Sequence, residues 1–96
     1  MFTLEEIKYK LQKSKSYFQN KYGVRGMAIF GSFSRNQQTE QSDIDILVEF
    51  SRPIWMEFME LADELEEIVQ LKVDLVSKNG LKNHHFKAIQ QELSYV

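Results

Sequence analysis

Residues 44–50 read IDILVEF, and Ser42-Asp43 comes just before them. Ile44, Ile46, Val48 and Phe50 recur at period two, with Asp43, Asp45, Leu47 and Glu49 between them. Successive side chains of a strand leave opposite faces, so this pattern demands a strand with one apolar face on a core and an acidic face turned away from it. Aspartate is disfavoured in strands, and two of them at alternate positions ask for a chemical reason. The chain has 96 residues, 43% of them hydrophobic, with a single proline. That length supports one core, and we read residues 1–96 as a single small domain whose modest burial leaves room for a partner.

The rest of the chain supplies what such a strand needs for cover. Thr3 and Glu6 form a capping box, and Leu4, Ile7, Leu11, Phe18 and Tyr22 follow at helical spacing, which predicts a helix ending at Gly23. Val24 to Phe30 predicts a strand whose internal glycine suits a bulge, and Gly31-Ser32 breaks it. A helical turn from Ser32 through Arg35 leads into a polar loop over residues 36–42. Residues 55–70 predict an amphipathic helix with Trp55, Phe58, Met59, Ala62, Leu65, Ile68 and Val69 as its apolar stripe. A short strand over residues 72–76 and a closing helix carrying Leu81, Phe86, Ile89 and Leu93 complete the order. This alternation predicts an α/β (α+β) fold: a small mixed sheet of three to four strands with helices packed on one face.

Charge is nearly balanced overall but uneven along the chain. Residues 1–36 carry a net +5, residues 37–67 a net −9 and the remainder +2. An overall −2 argues against a stable nucleic-acid partner. There is no cysteine, which rules out disulfides, thiolate metal sites and a cysteine nucleophile, and fits a cytoplasmic setting. No apolar run is long enough to span a bilayer, so no membrane association is expected.

The chemistry concentrates in two places. Asp43 and Asp45 lie two apart on a strand, with Cα atoms roughly 6.6 Å apart, close enough to converge on hard cations that prefer oxygen ligands. Asp74, between Val73 and Leu75, repeats the pattern on a second strand. If both strands share one sheet, three carboxylates emerge together, and three acids can hold two metal ions of the kind that drive in-line displacement at phosphorus. Gly31-Ser32, after a strand and before a helical turn, offers backbone N–H groups and a hydroxyl to phosphates, with Arg35 adding charge. An anion site beside a cation site is a polyphosphate site.

Gly31-Ser32-Phe33-Ser34-Arg35-Asn36 and Ser42-Asp43-Ile44-Asp45-Ile46-Leu47-Val48 together resemble the signature of the minimal nucleotidyltransferases of the DNA polymerase β superfamily. The resemblance spans nearly the whole chain and implies the polymerase β-like fold. It implies that Asp43, Asp45 and Asp74 are catalytic metal ligands for Mg²⁺, two ions in all, with Asp74 nearest the acceptor as candidate base. Gly31, Ser32, Arg35 and Ser42 would serve the nucleotide, although Ser42 also suits a role in rigidifying its loop. Asn36 stands where the family commonly has glycine, and asparagine tolerates the left-handed backbone better than most residues.

Chains of this size are similar to the antitoxin half of HEPN/MNT toxin-antitoxin pairs. That similarity implies AMP transfer from ATP onto a tyrosine of a HEPN ribonuclease toxin, which would be the hetero-oligomeric partner. Two other readings stay open: a non-catalytic antitoxin that neutralises by tight binding, and a transferase for a small-molecule or RNA acceptor. Elsewhere the bland readings lead. His84-His85 are expected to be a surface pair, since adjacent residues on a helix diverge by about 100°. The acidic face from Glu57 to Glu67 and the basic residues Lys8, Lys10, Lys13 and Lys15 are expected to be solvated.

Overall fold

The computed structural model describes residues 2–96. Its elements are α1 (Leu4–Lys13), α2 (Lys15–Tyr22), β1 (Val24–Phe30), β2 (Ile44–Phe50), α3 (Glu57–Val69), β3 (Val73–Ser77), α4 (Asn83–Ile89) and β4 (Ser94–Tyr95). Single 3-10 turns lie at Lys78–Gly80 and Gln90–Glu92. The strands form one mixed sheet in the order β3-β2-β1-β4. β2 runs antiparallel to β1 and parallel to β3, and β4 pairs antiparallel with β1 through Ala28↔Tyr95 and Ile29↔Ser94. Fold class and strand number are as the sequence predicts, but the helices do not all pack on one face as expected: α4 brings Phe86 to the opposite face, near Ala28 and Leu47.

The period-two reading of β2 holds residue by residue. Ile44, Ile46 and Val48 are fully buried and Phe50 nearly so, in one cluster with Ile7, Leu11, Phe18, Leu61, Leu65 and Val69 from α1, α2 and α3. Those three helices therefore cover one face of the sheet. Leu47 and Ala28, paired across β2 and β1, belong to the other face and are covered there with Phe86 of α4 nearby. Each fully buried aliphatic side chain contributes about 1.5–3 kcal/mol by transfer alone. Truncating Ile46 to alanine would cost about 2–5 kcal/mol once the cavity is included.

Local signals act where the sequence placed them. Glu6 donates its backbone N–H to Thr3 Oγ1 (3.2 Å) while Thr3 N–H donates to Glu6 Oε1 (2.8 Å), closing the capping box. Gly23 ends α2 in the left-handed region, φ 71°. The β1–β2 register shifts between Val24 and Gly26, which is the bulge the internal glycine suggested.

Four further expectations need correction. The predicted helix up to Tyr22 is two helices that meet at Ser14, which caps α1 with φ −99° and ψ 4°. A continuous stripe would need an apolar residue at 14 or 15, where Ser14 and Lys15 stand, so the chain bends there and still buries Leu11 and Phe18. Helix α3 starts at Glu57, not residue 55, and Trp55 and Met59 are 82% and 68% exposed. Its buried stripe is Leu61, Leu65 and Val69, with Leu61 fully enclosed, because that i, i+4, i+8 row faces the sheet and Met59 lies about 160° round the helix from Leu61. The strand expected over 72–76 is displaced by one residue, to Val73–Ser77. Finally, the closing helix stops at Ile89, and Ser94–Tyr95 leave it to pair with β1, since a two-residue strand carries no periodicity of its own. No helix among the described residues is long and apolar enough to cross a membrane.

Candidate nucleotidyltransferase site

Strand pairing assembles the acidic part of the site. Asp45 is the direct partner of Phe30 on β1 and of Asp74 on β3, so the two aspartates stand side by side on adjacent strands. They share the face of the sheet opposite the helical core, because Ile44 and Ile46 on either side of Asp45 are buried in that core. Asp43 comes one residue before β2, exposed, and Ile44 N–H donates to Lys72 O (2.9 Å) to align the strand start.

Burial raises the Asp45 carboxyl to about pH 6, helped by a hydrogen bond to Asp74 and by the charges of Asp74 and Asp43, while Arg35 opposes the rise. Asp43, Asp45 and Asp74 crowd negative charge onto this face with Arg35 opposing it, so this face of the sheet is short of positive charge. That shortage, with all-oxygen donors, fits a hard divalent cation such as Mg²⁺. Asp45 and Asp74 would hold it, and Asp43 is the next carboxylate along β2. Among the described residues no three acid or histidine side chains are gathered tightly enough in this structure to hold an ion. The structure thus brings Asp45 and Asp74 together directly and leaves Asp43 exposed beside them.

The loop from Gly31 to Arg35 packs against these acids. Gly31 has φ +77°, a conformation that disfavours any Cβ, and a Cβ added there would overlap the Asp45 carboxylate. Only glycine lets the loop backbone approach the aspartate this closely. From Gly31 the chain turns helically: Arg35 N–H donates to Gly31 O (3.1 Å) and Gln37 N–H to Ser32 O (2.8 Å), with Phe33 buried beneath as an anchor. Ser32 is half-buried. Asn36 adopts φ 57°, a left-handed conformation that asparagine tolerates better than most residues. Ser42 serves its own loop, accepting the Thr39 backbone N–H at 2.9 Å and donating its own N–H to Thr39 O at 3.1 Å.

One participant has no signal in the sequence. Glu92, in the 3-10 turn before β4, accepts Gly31 N–H (3.0 Å) and Arg35 Nη1 (3.0 Å) with its carboxylate, and its backbone carbonyl accepts the Ser34 hydroxyl. It lies 57 positions from Arg35, and only the fold of the C-terminal segment brings the two together. The histidines behave as expected: His84 and His85 are both exposed, with ring centroids 4.1 Å apart. A separate depression of about 470 Å³, lined by Phe50, Arg52, Pro53, Trp55 and Asn79, lies at the opposite end of β2 from these aspartates and includes none of them.

With this geometry in hand, comparison with known proteins is informative. The sequence model described as polymerase beta, nucleotidyltransferase matches residues 12–93. The chain belongs to the polymerase β nucleotidyltransferase family. It is 50% identical over its whole length to a provisionally named protein adenylyltransferase of Methanocaldococcus jannaschii, itself fully covered. It is 42% identical to the protein adenylyltransferase MntA of Thermococcus cleftensis, covering all of this chain and 98% of that one. Among solved structures, a protein described as a minimal nucleotidyltransferase superimposes with TM-score 0.81 at 26% identity, over 97% of this chain and 95% of the other. A toxin-antitoxin complex crystallised with AMP-PNP shares the fold, with TM-score 0.71 at 24% identity over 95% of this chain and 69% of that one. The chain is thus an enzyme of the nucleotidyltransferase class.

Proposed function

We propose that this chain is a Mg²⁺-dependent protein adenylyltransferase that moves AMP from ATP onto a tyrosine hydroxyl of a HEPN-family toxin and thereby acts as its antitoxin. The observation that carries this reading is the juxtaposition of the paired Asp45 and Asp74 residues with the Gly31–Arg35 loop, which we read as a cation site against an anion site. Support for the acceptor comes from the relatives: the 42% identical chain is named a protein adenylyltransferase, and a related fold occurs in a complex of a tri-AMPylated HEPN toxin of Shewanella oneidensis with its MNT antitoxin, TM-score 0.67 at 21% identity. We take residues 1–96 as one such transferase domain, working in the cytoplasm.

In this reading Ser32, the loop N–H groups and Arg35 hold the β- and γ-phosphates, and Asp43, Asp45 and Asp74 hold two Mg²⁺ ions. Bound Mg²⁺ would supply charge neutralisation along the triphosphate and acidify the attacking hydroxyl. The acceptor oxygen forms a bond to the α-phosphorus as the bond from that phosphorus to the α,β-bridging oxygen breaks, and pyrophosphate leaves. The hydroxyl proton passes to the exposed Asp74 carboxylate, and from there to solvent. Positioning and electrostatics account for most of the rate enhancement in such transfers, which is why the close Gly31–Asp45 packing matters. The test is AMP incorporation into the partner toxin by wild type and by the Asp43→Asn, Asp45→Asn double variant. The reading requires incorporation that depends on ATP and Mg²⁺ and is absent from the variant; full activity of the variant would refute it.

A further inference from the structure

We infer that Glu92 is a positioning residue for the nucleotide's phosphates, acting through Arg35. The inference rests on the reading of this loop as a nucleotide site. Arg35 is a long side chain, 46% exposed, and an unrestrained arginine loses rotamer entropy when a ligand fixes it. Here two of its three nitrogens are already held. Nη1 donates to both Glu92 oxygens, at 3.0 and 3.2 Å, and Nε donates to Gln37 Oε1 at 3.1 Å. Among the described residues Nη2 has no partner, so the side chain is fixed with one NH₂ group open to a phosphate oxygen.

Glu92 also fixes the loop itself. Its Oε1 accepts the Gly31 N–H, and its main-chain carbonyl accepts the Ser34 hydroxyl, so both ends of the Gly31–Arg35 turn are tied to the same residue. Glu92 is in turn held by the terminal strand: Val96 N–H donates to Met27 O (3.0 Å), and Lys15 Nζ donates to Val96 O (3.1 Å). A carboxylate next to a phosphate site would ordinarily repel the ligand. Glu92 is tolerable there because its charge is matched by Arg35 and by the Gly31 N–H, and what it contributes is preorganisation.

A competing account gives Glu92 the place of the phosphate, so that ATP must expel it. The two accounts predict opposite signs. The experiment measures Mg-ATP binding by calorimetry, and KM and kcat for AMP transfer, in wild type, Glu92→Gln, Arg35→Ala and the double variant, with melting temperature and circular dichroism as folding controls. The glutamine keeps an acceptor for the Gly31 N–H and removes the charge. The expected result is about tenfold weaker Mg-ATP binding and a matching rise in KM for Glu92→Gln, little change in kcat, and no further loss when it is added to Arg35→Ala. Binding equal to or tighter than wild type in Glu92→Gln would overturn the inference. Independent, additive losses in the double variant would do so as well. Failure of wild type itself to bind Mg-ATP would overturn the nucleotide reading, and the inference with it, and is distinguishable because it does not depend on residue 92.

Discussion

Gly31 and Asp45 are packed so that the loop glycine has no room for a side chain: an added Cβ would enter the aspartate's carboxylate. The Gly31 loop and strand β2 are therefore not merely adjacent; each limits what the other can be.

The first prediction concerns that contact. Gly31→Ala combines a left-handed backbone that costs an alanine about 1–2 kcal/mol with overlap at Asp45. We expect destabilisation of about 2–3 kcal/mol by urea titration, and AMP transfer below a hundredth of wild type under conditions where the variant remains folded. Near-normal transfer by a folded Gly31→Ala protein would mean that the loop and the aspartate do not work at this spacing.

The second concerns pH. The Asp45 carboxyl, raised to about 6 by burial and then by Asp74 and Asp43, binds protons more tightly folded than unfolded. Between its ordinary value near 4 and about 6 the folded state holds the extra proton, so stability falls as pH rises through that window. Asp45 is partly exposed, and solvent screening keeps the effect to about 1 kcal/mol. With EDTA present, the melting temperature should drop from pH 4.5 to pH 7. Asp45→Asn should flatten that slope, and millimolar Mg²⁺ should restore stability at pH 7 more than at pH 4.5. A slope that survives Asp45→Asn would assign it to another group.

The third concerns the contact between α2 and α3. Glu64 accepts hydrogen bonds from the Tyr17 and Tyr22 hydroxyls and from Lys21 Nζ (3.2 Å), and Tyr22 is 1% exposed. Burial pushes the Glu64 carboxyl up, but those three donors together hold it below the usual glutamate range. Glu64→Ala strands the Tyr22 hydroxyl, and leaving a buried donor unpaired costs about 1–3 kcal/mol. Tyr22→Phe in the same background should recover part of that loss. Both changes lie across the sheet from the aspartates and should leave transfer by the folded protein unchanged. A fall in kcat without a fall in stability would contradict this assignment.

How much of this was readable in the sequence depends on the range over which each feature is determined. Strand β2 and the faces taken by Asp45 and Asp74 follow from period-two patterning, because each residue's neighbours in sequence decide its face. The capping box at Thr3 and the left-handed Asn36 are likewise local. The side-by-side alignment of Asp45 and Asp74 depends instead on the β2–β3 pairing, which the sequence supports only on the condition that both strands share one sheet. Leu61 and Met59 changed places because the helix phase is set by where α3 begins, and Trp55 N–H meeting Glu57 Oε2 at 3.2 Å precedes that start without extending the helix. β4 and Glu92 were illegible for a different reason. Both depend on the chain's last residues returning to β1, a pairing some 65 positions away in sequence that no window along the chain records.

The central claim is AMP transfer through the Asp43, Asp45 and Asp74 carboxylates, and the most direct test is the intact mass of the HEPN-family partner after incubation with this protein, ATP and Mg²⁺. The account predicts one or more added AMP groups, about 329 Da each, located on tyrosine, with wild type and none with the Asp43→Asn, Asp45→Asn double variant. A partner that stays unmodified while binding both proteins equally, and is neutralised by both, would contradict it.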